Sequence, residues 1–568
     1  MKFVVGILGF ILGATTTSVV LCEFSQSLTV SITWISLLAG AGLAGLFIFS
    51  TRKVAFQFPH PGLFDWAMGF FFFLFCFRFF GWLLYQKGGG YFTLDGNNFG
   101  DLPWHITSIE NLARAQKFWP ENPILTVEKF HYPFGIDMFG ALFLKLGVPL
   151  QNLLPVTGFI CGILFLLALY LWGGGFALGG FLFSGGVAGF TMIKTGYLRD
   201  YQADLAWKSL PLALYITQRG LIYAFPAGLI LIWSWRRRFL LKKDGLPLWI
   251  EGLLWGTMPL FHIHTFLLLS ALFAVWTLHS RKWKTSLTLF LVAVIPATYE
   301  MCRLTDNFRR ASILAWNPGW MISSSHLGFW GHLWDGLLFF LLNYGMFFPL
   351  TIMAVFLAWR HKKDRWDLVI LPAGAIYLLC LFVKFAPWDW DNTKLMAWCY
   401  ILALPVIWEM CVFPIRMSLK VPLVLSLFLS GFICVYSVYG NLSGFELYRR
   451  DVVDEVCAAL ENIPQEARLA TAQTHNHPVL LCGHKVVAGY AGHLWSHGIP
   501  GHEVIEGKLT RLMNGDGDWR DLAKQIQARY LFWGEEEARA FANSKKPWVD
   551  SVKKVAEGSW GQIYDLGE

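Results

Sequence analysis

Five polar clusters interrupt an otherwise apolar chain, and their residue types are those of acid–base and phosphate chemistry. The first is Asp95-Gly-Asn-Asn-Phe-Gly-Asp101-Leu-Pro-Trp-His105. A carboxylate at a membrane surface can serve as a general base or bind a divalent cation. His105, one helical turn after Asp101, can orient it or share the ion. Asp101 also stands two residues before Pro103, where a helix N-cap is the ordinary role. The second cluster, Phe130-His131-Tyr132-Pro133-Phe134-Gly135, suits an aromatic lid over a sugar face, or an interfacial aromatic belt. The third is the pair His262 and His264. Ionisable side chains inside a membrane are costly and usually face a cavity, so the pair reads as a substrate or metal site, or as a satisfied structural pair. The fourth, KFAPWDWDNTK over 384–394, offers Trp390, Asp391, Asn392 and Lys394 to a phosphate or a carbohydrate. A snorkelling lysine among solvated acids is the plain alternative. The fifth is a set of cations, Arg78, Arg199, Arg219, Arg303, Arg309 and Arg310, which as a group could neutralise a lipid phosphate.

The elements that must position these clusters are membrane spans. With 568 residues, 55% hydrophobic and 15% charged, the chain carries more apolar surface than a soluble core of ordinary proportions can hide. Apolar runs near the roughly 20 residues that cross a bilayer recur up to Gly440, at 3–22, 28–50, 63–85, 151–172, 176–193, 213–235, 248–262, 264–279, 286–303, 333–358, 366–386, 395–413 and 421–440. This pattern predicts an all-α polytopic bundle of about thirteen spans. Lysine and arginine in short loops mark the cytoplasmic side. A cytoplasmic N-terminus puts the basic turns at 51–53, 236–243, 281–284, 360–365 and 416–420 on that side. The five polar clusters then fall on the other. The same assignment forces 249–279 into a hairpin of two short helices with His262 and His264 at its apex. Non-helical backbone at that depth is tolerated where it lines a cavity or is buried in protein. The first apolar run, ending at Cys22, reads as a retained helix because Val19, Val20 and Leu21 lack the small side chains of a signal-peptide cleavage site.

The net charge of +8 lies largely in the short turns, and no basic stripe interleaved with aromatics offers a track for nucleic acid. Residues 1–440 form the transmembrane part. Within it the outer loop 86–150 holds a predicted surface helix at 101–118, with Ile106, Ile109, Leu112 and Ala113 on one stripe, and a second amphipathic element at 134–146. From about 441 to 568 the pattern changes to that of an extracytoplasmic α/β domain. Helices are predicted at 451–461, 504–513 and 519–528, and strands at 468–471, 479–482, 530–533 and 562–564. Cys457 and Cys482 could pair there in an oxidising compartment, or stay as buried thiols.

In order, D-x-x-x-H at Asp101–His105, H-Y-x-x-G at His131–Gly135, T-Q-R-G at Thr217–Gly220, F-H-x-H-T-F at Phe261–Phe266 and W-D-N-x-K at Trp390–Lys394 resemble the bacterial GT-C-like membrane proteins. The resemblance covers nearly the whole chain. It implies a GT-C-like bundle and a hexosyl or pentosyl transferase that moves a sugar from a polyprenyl-phosphate carrier, on the extracytoplasmic face of the cell membrane, to a glycan, lipid or protein acceptor. Asp101 is then the first candidate base and Asp95 the second, with His105 beside them. His131, Tyr132, Arg199, Arg219, His262, His264, Trp390, Asp391, Asn392 and Lys394 are the candidate substrate-binding residues. The chain departs from the family's simplest pattern in having two extra spans before the long loop and no Asp-x-Asp or Asp-Glu pair within it. A divalent cation at Asp95, Asp101 and His105 is therefore left open. A transporter of a lipid-linked substrate and a non-catalytic envelope assembly protein are the other classes that fit such a layout.

Overall fold

The computed structural model describes residues 1–197, 201, 206–308, 314–322 and 326–567. Eight described helices are long and apolar enough to cross a membrane. The 101° bend between Gly328–Tyr344 and Phe347–His361 makes a ninth candidate of that pair. The chain opens with α1 (Lys2–Ser25), α2 (Val30–Ser50) and α3 (Leu63–Phe75, prolonged by a π turn through Phe80). A hairpin of β1 (Tyr85–Lys87) and β2 (Gly90–Thr93) leads to α4 (Asn98–Arg114) and α5 (Gly135–Lys145). The bundle resumes with α6 (Leu150–Leu182), α7 (Arg219–Trp235), α8 (Leu248–Gly256), α9 (Ile263–Ser280) and α10 (Trp283–Leu304). It closes with α11 (Thr393–Ile407) and α12 (Met417–Tyr439). Large apolar side chains such as Trp34, Leu38 and Leu46 on α2 and Phe70 on α3 are exposed, which suits a lipid-facing surface.

The expected thirteen spans and the eight differ for identifiable reasons. Residues 151–193 do not form two crossings. They form one 33-residue element that breaks at Gly173 and Gly174, the latter at φ 62°, and ends at Leu182. Its second leg is too short to span about 30 Å of hydrocarbon. Run 366–386 yields a helix of only 14 residues, and the 17-residue helix of run 213–235 continues only through a π turn that carries Arg236, Arg237 and Arg238. The predicted hairpin at 249–279 breaks at His262 as expected, where the backbone turns extended, but its second arm is an 18-residue helix of membrane-crossing length.

Hydrogen bonds tie the basic turns into one end of the bundle. Lys2 Nζ donates to the Arg52 carbonyl, Arg236 to that of Asp364 and Lys282 to that of Arg238, each at 2.7 Å. Arg365 reaches His279 at 3.0 Å.

At the opposite end the loop 86–150 and the tail are braided. The tail begins with β3 (Phe445–Arg449), which pairs antiparallel with β2, so a three-stranded sheet joins two segments some 350 residues apart. After α13 (Arg450–Leu460), strands β4 (Arg468–Ala470), β5 (Lys485–Val486), β6 (Tyr530–Gly534), β7 (Lys553–Gly558) and β8 (Gly561–Asp565) form a mixed sheet in the order β5-β4-β6-β8-β7. Residues 123–126 of the loop 86–150 bond to its edge: Val486 N and Gly489 N donate to the carbonyls of Pro123 and Ile124, and Thr126 N donates to that of Val487. The predicted strand at 479–482 is instead one helical turn, because Pro478 starts it and His477 Nδ1 accepts from Val479 N. Cys457 and Cys482 are joined in a disulfide.

Candidate functional site

Helix α4 does not lie on the surface as its amphipathic stripe suggested. Residues Leu102–Ala113 are all buried, because the tail covers the face opposite the bundle. Its N-cap is Asn97, so Asp101 is not the cap and sits in the first turn with its carboxylate free of that duty. Asp101 Oδ2 accepts from Gln218 Nε2 at 3.3 Å. Burial pushes its carboxyl above the usual range. His105 and Lys394 pull it down and Asp391 pushes it up, so the first and fourth sequence clusters meet at one carboxylate.

One turn further along α4, His105 Nδ1 lies 2.8 Å from Asp137 Oδ2, and Arg219 Nε donates to Asp137 Oδ1 at 3.3 Å. His105, Asp137 and Arg219 are 2%, 0% and 2% exposed, so this hub is sealed from water. Asp137 was not among the residues singled out from the sequence, yet it is the group that locks His105 and Arg219. Each of its oxygens has a partner within the sealed hub, whereas Asp101 is half-buried and bonded to Gln218 alone among the described residues.

The segments that carry the motifs converge on Phe261. The Tyr223 ring stacks on it at 3.8 Å. A Cβ on Gly220 would sit 2.3 Å from its carbonyl oxygen, and one on Gly135 2.7 Å from its ring. At 220 the obstacle is backbone, so only glycine allows the approach that sets Arg219 beside His262. There the chain is extended for one residue, and His262 Nδ1 accepts from Thr265 N at 3.1 Å. That bond places the His262 proton on Nε2. Trp398 Nε1 donates to Thr265 Oγ1 at 2.8 Å and braces the turn. The His264 ring centroid is 5.6 Å from that of His262. His262 Nε2, His264 Nε2 and Arg219 Nη2 are all buried with no hydrogen-bond partner among the described residues. Buried polar atoms are usually paired, so three unpaired nitrogens in neighbouring residues leave polar groups available to a ligand.

Lys394 Nζ pairs with Asp391 Oδ1 at 3.0 Å. Asn392 holds the loop instead of facing a ligand: it accepts from Phe385 N at 2.9 Å and donates to the carbonyls of Cys380 and Val383 at 2.9 and 2.8 Å. Trp390 packs edge-on against Trp320 at 5.3 Å. Asp95 also works locally, accepting from the backbone and side chain of Asn97 at 2.9 and 3.0 Å. His131 Nδ1 is 3.0 Å from the Arg303 carbonyl, and Arg303 pairs with Glu23. Arg78 straps the end of α3 to the carbonyls of Tyr439 and Asn441. Arg199, Arg309 and Arg310 lie outside the described residues.

Tyr132 faces the Asp101 side. Burial, and then the carboxylates of Asp137, Asp101 and Asp391, hold its hydroxyl well above the ordinary tyrosine value, so it stays a neutral donor. Over it lies the tail's short helix Ala491–Ser496, with His497 following. The His497 ring is 4.6 Å from Trp104 and 4.9 Å from Tyr132, and Trp495 is 6.4 Å from Trp388. Burial, with His475 and His105 nearby, lowers His493 to about 4 and keeps it neutral. These tail residues were not picked from the sequence. The i, i+4 spacing of His493 and His497 is the signal that could have found them.

The residues proposed for a divalent cation do not assemble a site. No described group of three His, Cys, Asp or Glu is placed to hold a metal, His105 Nδ1 is taken by Asp137, and Asp95 caps its own turn.

No protein-family model matches the chain, and no curated protein matches it. Among solved structures it is similar to the Archaeoglobus fulgidus oligosaccharyltransferase in the apo form, at 12% identity over 83% of this chain and 69% of that one, with a TM-score of 0.46. The same protein in complex with Zn and sulfate gives 14% identity over 84% and 70%, with a TM-score of 0.43. The archaeal oligosaccharyltransferase AglB from Archaeoglobus fulgidus in complex with an inhibitory peptide and a dolichol-phosphate gives 12% over 83% and 69%, with a TM-score of 0.42.

Proposed function

We propose that the chain is a GT-C-type glycosyltransferase that moves a sugar from a polyprenyl-phosphate-linked donor to a glycan, lipid or protein acceptor on the extracytoplasmic face. The observation that carries this reading is the set of three orphaned buried nitrogens, on Arg219, His262 and His264, next to Lys394 and the half-buried carboxylate of Asp101. Displacing a phosphate from an anomeric carbon needs a base on one side and cations or N–H donors on the other. Asp101 takes the proton from the acceptor's nucleophilic atom as that atom bonds to the anomeric carbon. The bond from that carbon to the phosphate oxygen breaks with its electron pair leaving on the phosphate. Arg219 Nη2, His262 Nε2–H and Lys394 stabilise the released charge. Asp137 is a positioning residue: it holds Arg219 and His105 in register without touching substrate. Tyr132 and His497, backed by the buried Trp104, offer the rings against which a sugar face can stack.

The Cys457–Cys482 disulfide suits an oxidising compartment, and the basic turns gathered at the other end suit the cytoplasm; both support a cytoplasmic N-terminus and an extracytoplasmic tail. The test is reconstitution of the full chain in vesicles with polyprenyl-phosphate-linked radiolabelled sugars and a mixture of glycan, lipid and peptide acceptors. Label should move to an acceptor with release of the polyprenyl phosphate. Passage of the intact lipid-linked sugar across the vesicle wall, with no bond changed, would contradict the assignment.

A further inference from the structure

We propose a second ligand site at the basic-turn end of the bundle: a groove between α3 and α12 that holds the chains of an anionic glycerophospholipid, with Lys420 at its phosphate. Both helices lean on α6, with Phe72 stacked on Phe181 at 6.0 Å and Phe428 against Phe176 at 5.6 Å. Between them a space of about 940 Å³ remains, lined by Phe64, Met68, Phe71, Trp408, Val424 and Phe432 among others. Ligand pockets span roughly 300–1,000 Å³, so this one is at the large end. Phe71, packed on Phe183 at 5.9 Å and Phe432 at 6.1 Å, closes its inner end. Phe413, Met417, Val421 and Leu425 are exposed at its open side, which therefore faces lipid.

The wall is a break in α6. Broken backbone within a membrane survives only where it lines a cavity or is buried in protein, because each freed N–H needs a partner. Here Gly175 N donates to Asp65 Oδ1 at 2.7 Å, and Gly62 N donates to Asp65 Oδ2 at 3.0 Å, so one carboxylate pins the break to the start of α3. Asp65 is thereby committed to the wall. Glu409 at the rim is paired with Lys363 at 3.2 Å. Lys420 spends one N–H on the Phe413 carbonyl at 3.0 Å and lies 5.5 Å from the Trp408 ring and 5.2 Å from that of Phe413. An ammonium has three donors, so Lys420 retains N–H groups for an anion. His60 lines the same rim, and the turns 360–365 and 416–420 add positive charge around it. Apolar walls below a lysine in a basic rim match a lipid with a negative phosphate. The groove lies away from Asp101: α3 and α12 start beside it and end where Arg78 bonds the Tyr439 carbonyl, next to the outer loop.

The full chain is reconstituted in phosphatidylcholine nanodiscs containing a small fraction of phosphatidylglycerol with a terminal diazirine on one chain, then irradiated and mapped by peptide mass spectrometry. Crosslinks are expected in 64–71 and 424–432. Unlabelled phosphatidylglycerol should compete and added phosphatidylcholine should not. Lys420→Gln should lower crosslinking about fivefold, the worth of one lysine beside an anionic lipid surface, while Lys420→Arg retains it. Val424→Trp should fill the groove and remove the crosslinks. Three results each overturn the proposal: labelling spread evenly onto lipid-facing residues such as Trp34 and Leu38, equal competition by phosphatidylcholine, or no effect of Lys420→Gln. Should Val424→Trp not fold, the Lys420 pair decides. Protection of 64–71 and 424–432 by a second copy of the chain would assign the groove to self-association instead.

Discussion

Replacing Asp137 by asparagine keeps the side chain's shape and removes the charge that faces Arg219 at 3.3 Å and His105 at 2.8 Å. Asp137 is fully buried and Arg219 is 2% exposed, so water cannot compensate the guanidinium left behind. Removing one partner of such a pair costs about 3–5 kcal/mol, because an unpaired buried charge remains. Removing both charges together with apolar groups of similar volume costs much less. Asp137→Asn should therefore lower the unfolding free energy by about 3–5 kcal/mol, and Arg219→Met by a comparable amount. The double variant Asp137→Asn with Arg219→Met should fall short of the sum by about 2 kcal/mol. Chemical unfolding in detergent, followed by tryptophan fluorescence on the full chain, measures all three. An Asp137→Asn protein within about 1 kcal/mol of the parent, or strict additivity, would refute the hub.

Transfer should rise with pH through a group titrating above the usual carboxylate range, since Asp101 must be unprotonated to act and burial raises its carboxyl. Lys394→Gln removes a cation that holds Asp101 down and should move this limb of the kcat/KM profile to higher pH; Asp391→Asn removes an anion and should move it lower. Cys457→Ser opens a link between residues 25 apart and should cost the tail about 3 kcal/mol, read as faster proteolysis of 441–567. Gly220→Ala pushes a Cβ to 2.3 Å from a backbone carbonyl and should cost about 1–3 kcal/mol in thermal stability. Gly135→Ala meets a ring that can swing and should cost less.

What was legible in the sequence was mostly what local spacing carries. The interval between Asp101 and His105 marked a helical turn bearing both groups, and the extended break at His262 followed from the basic flanks of 249–279. Asp137 was missed because FGIDMFG reads as one amphipathic helix, and its partners lie 32 and 82 residues away. Nothing in a local pattern reports such distances. The stripe on α4 correctly shows one apolar face, yet a stripe does not say what meets the other. Here the tail does, burying Ser108, Glu110 and Asn111. Asn392 looked like a ligand-binding amide, but a turn with three backbone groups to satisfy consumed it. The run at 479–482 has the composition of a strand, and Pro478 with the His477 cap winds it into a helix.

The central claim is that Asp101 takes the acceptor's proton at a site that Arg219, His262 and Lys394 complete. The direct test is Asp101→Asn in the reconstituted transfer reaction, with correct folding shown by unchanged unfolding and retained binding of the polyprenyl-phosphate-linked donor. A general base contributes about 10²–10⁴ in rate, so kcat should fall by that factor with donor affinity preserved. An Asp101→Asn protein that transfers sugar at the parental rate would contradict the account.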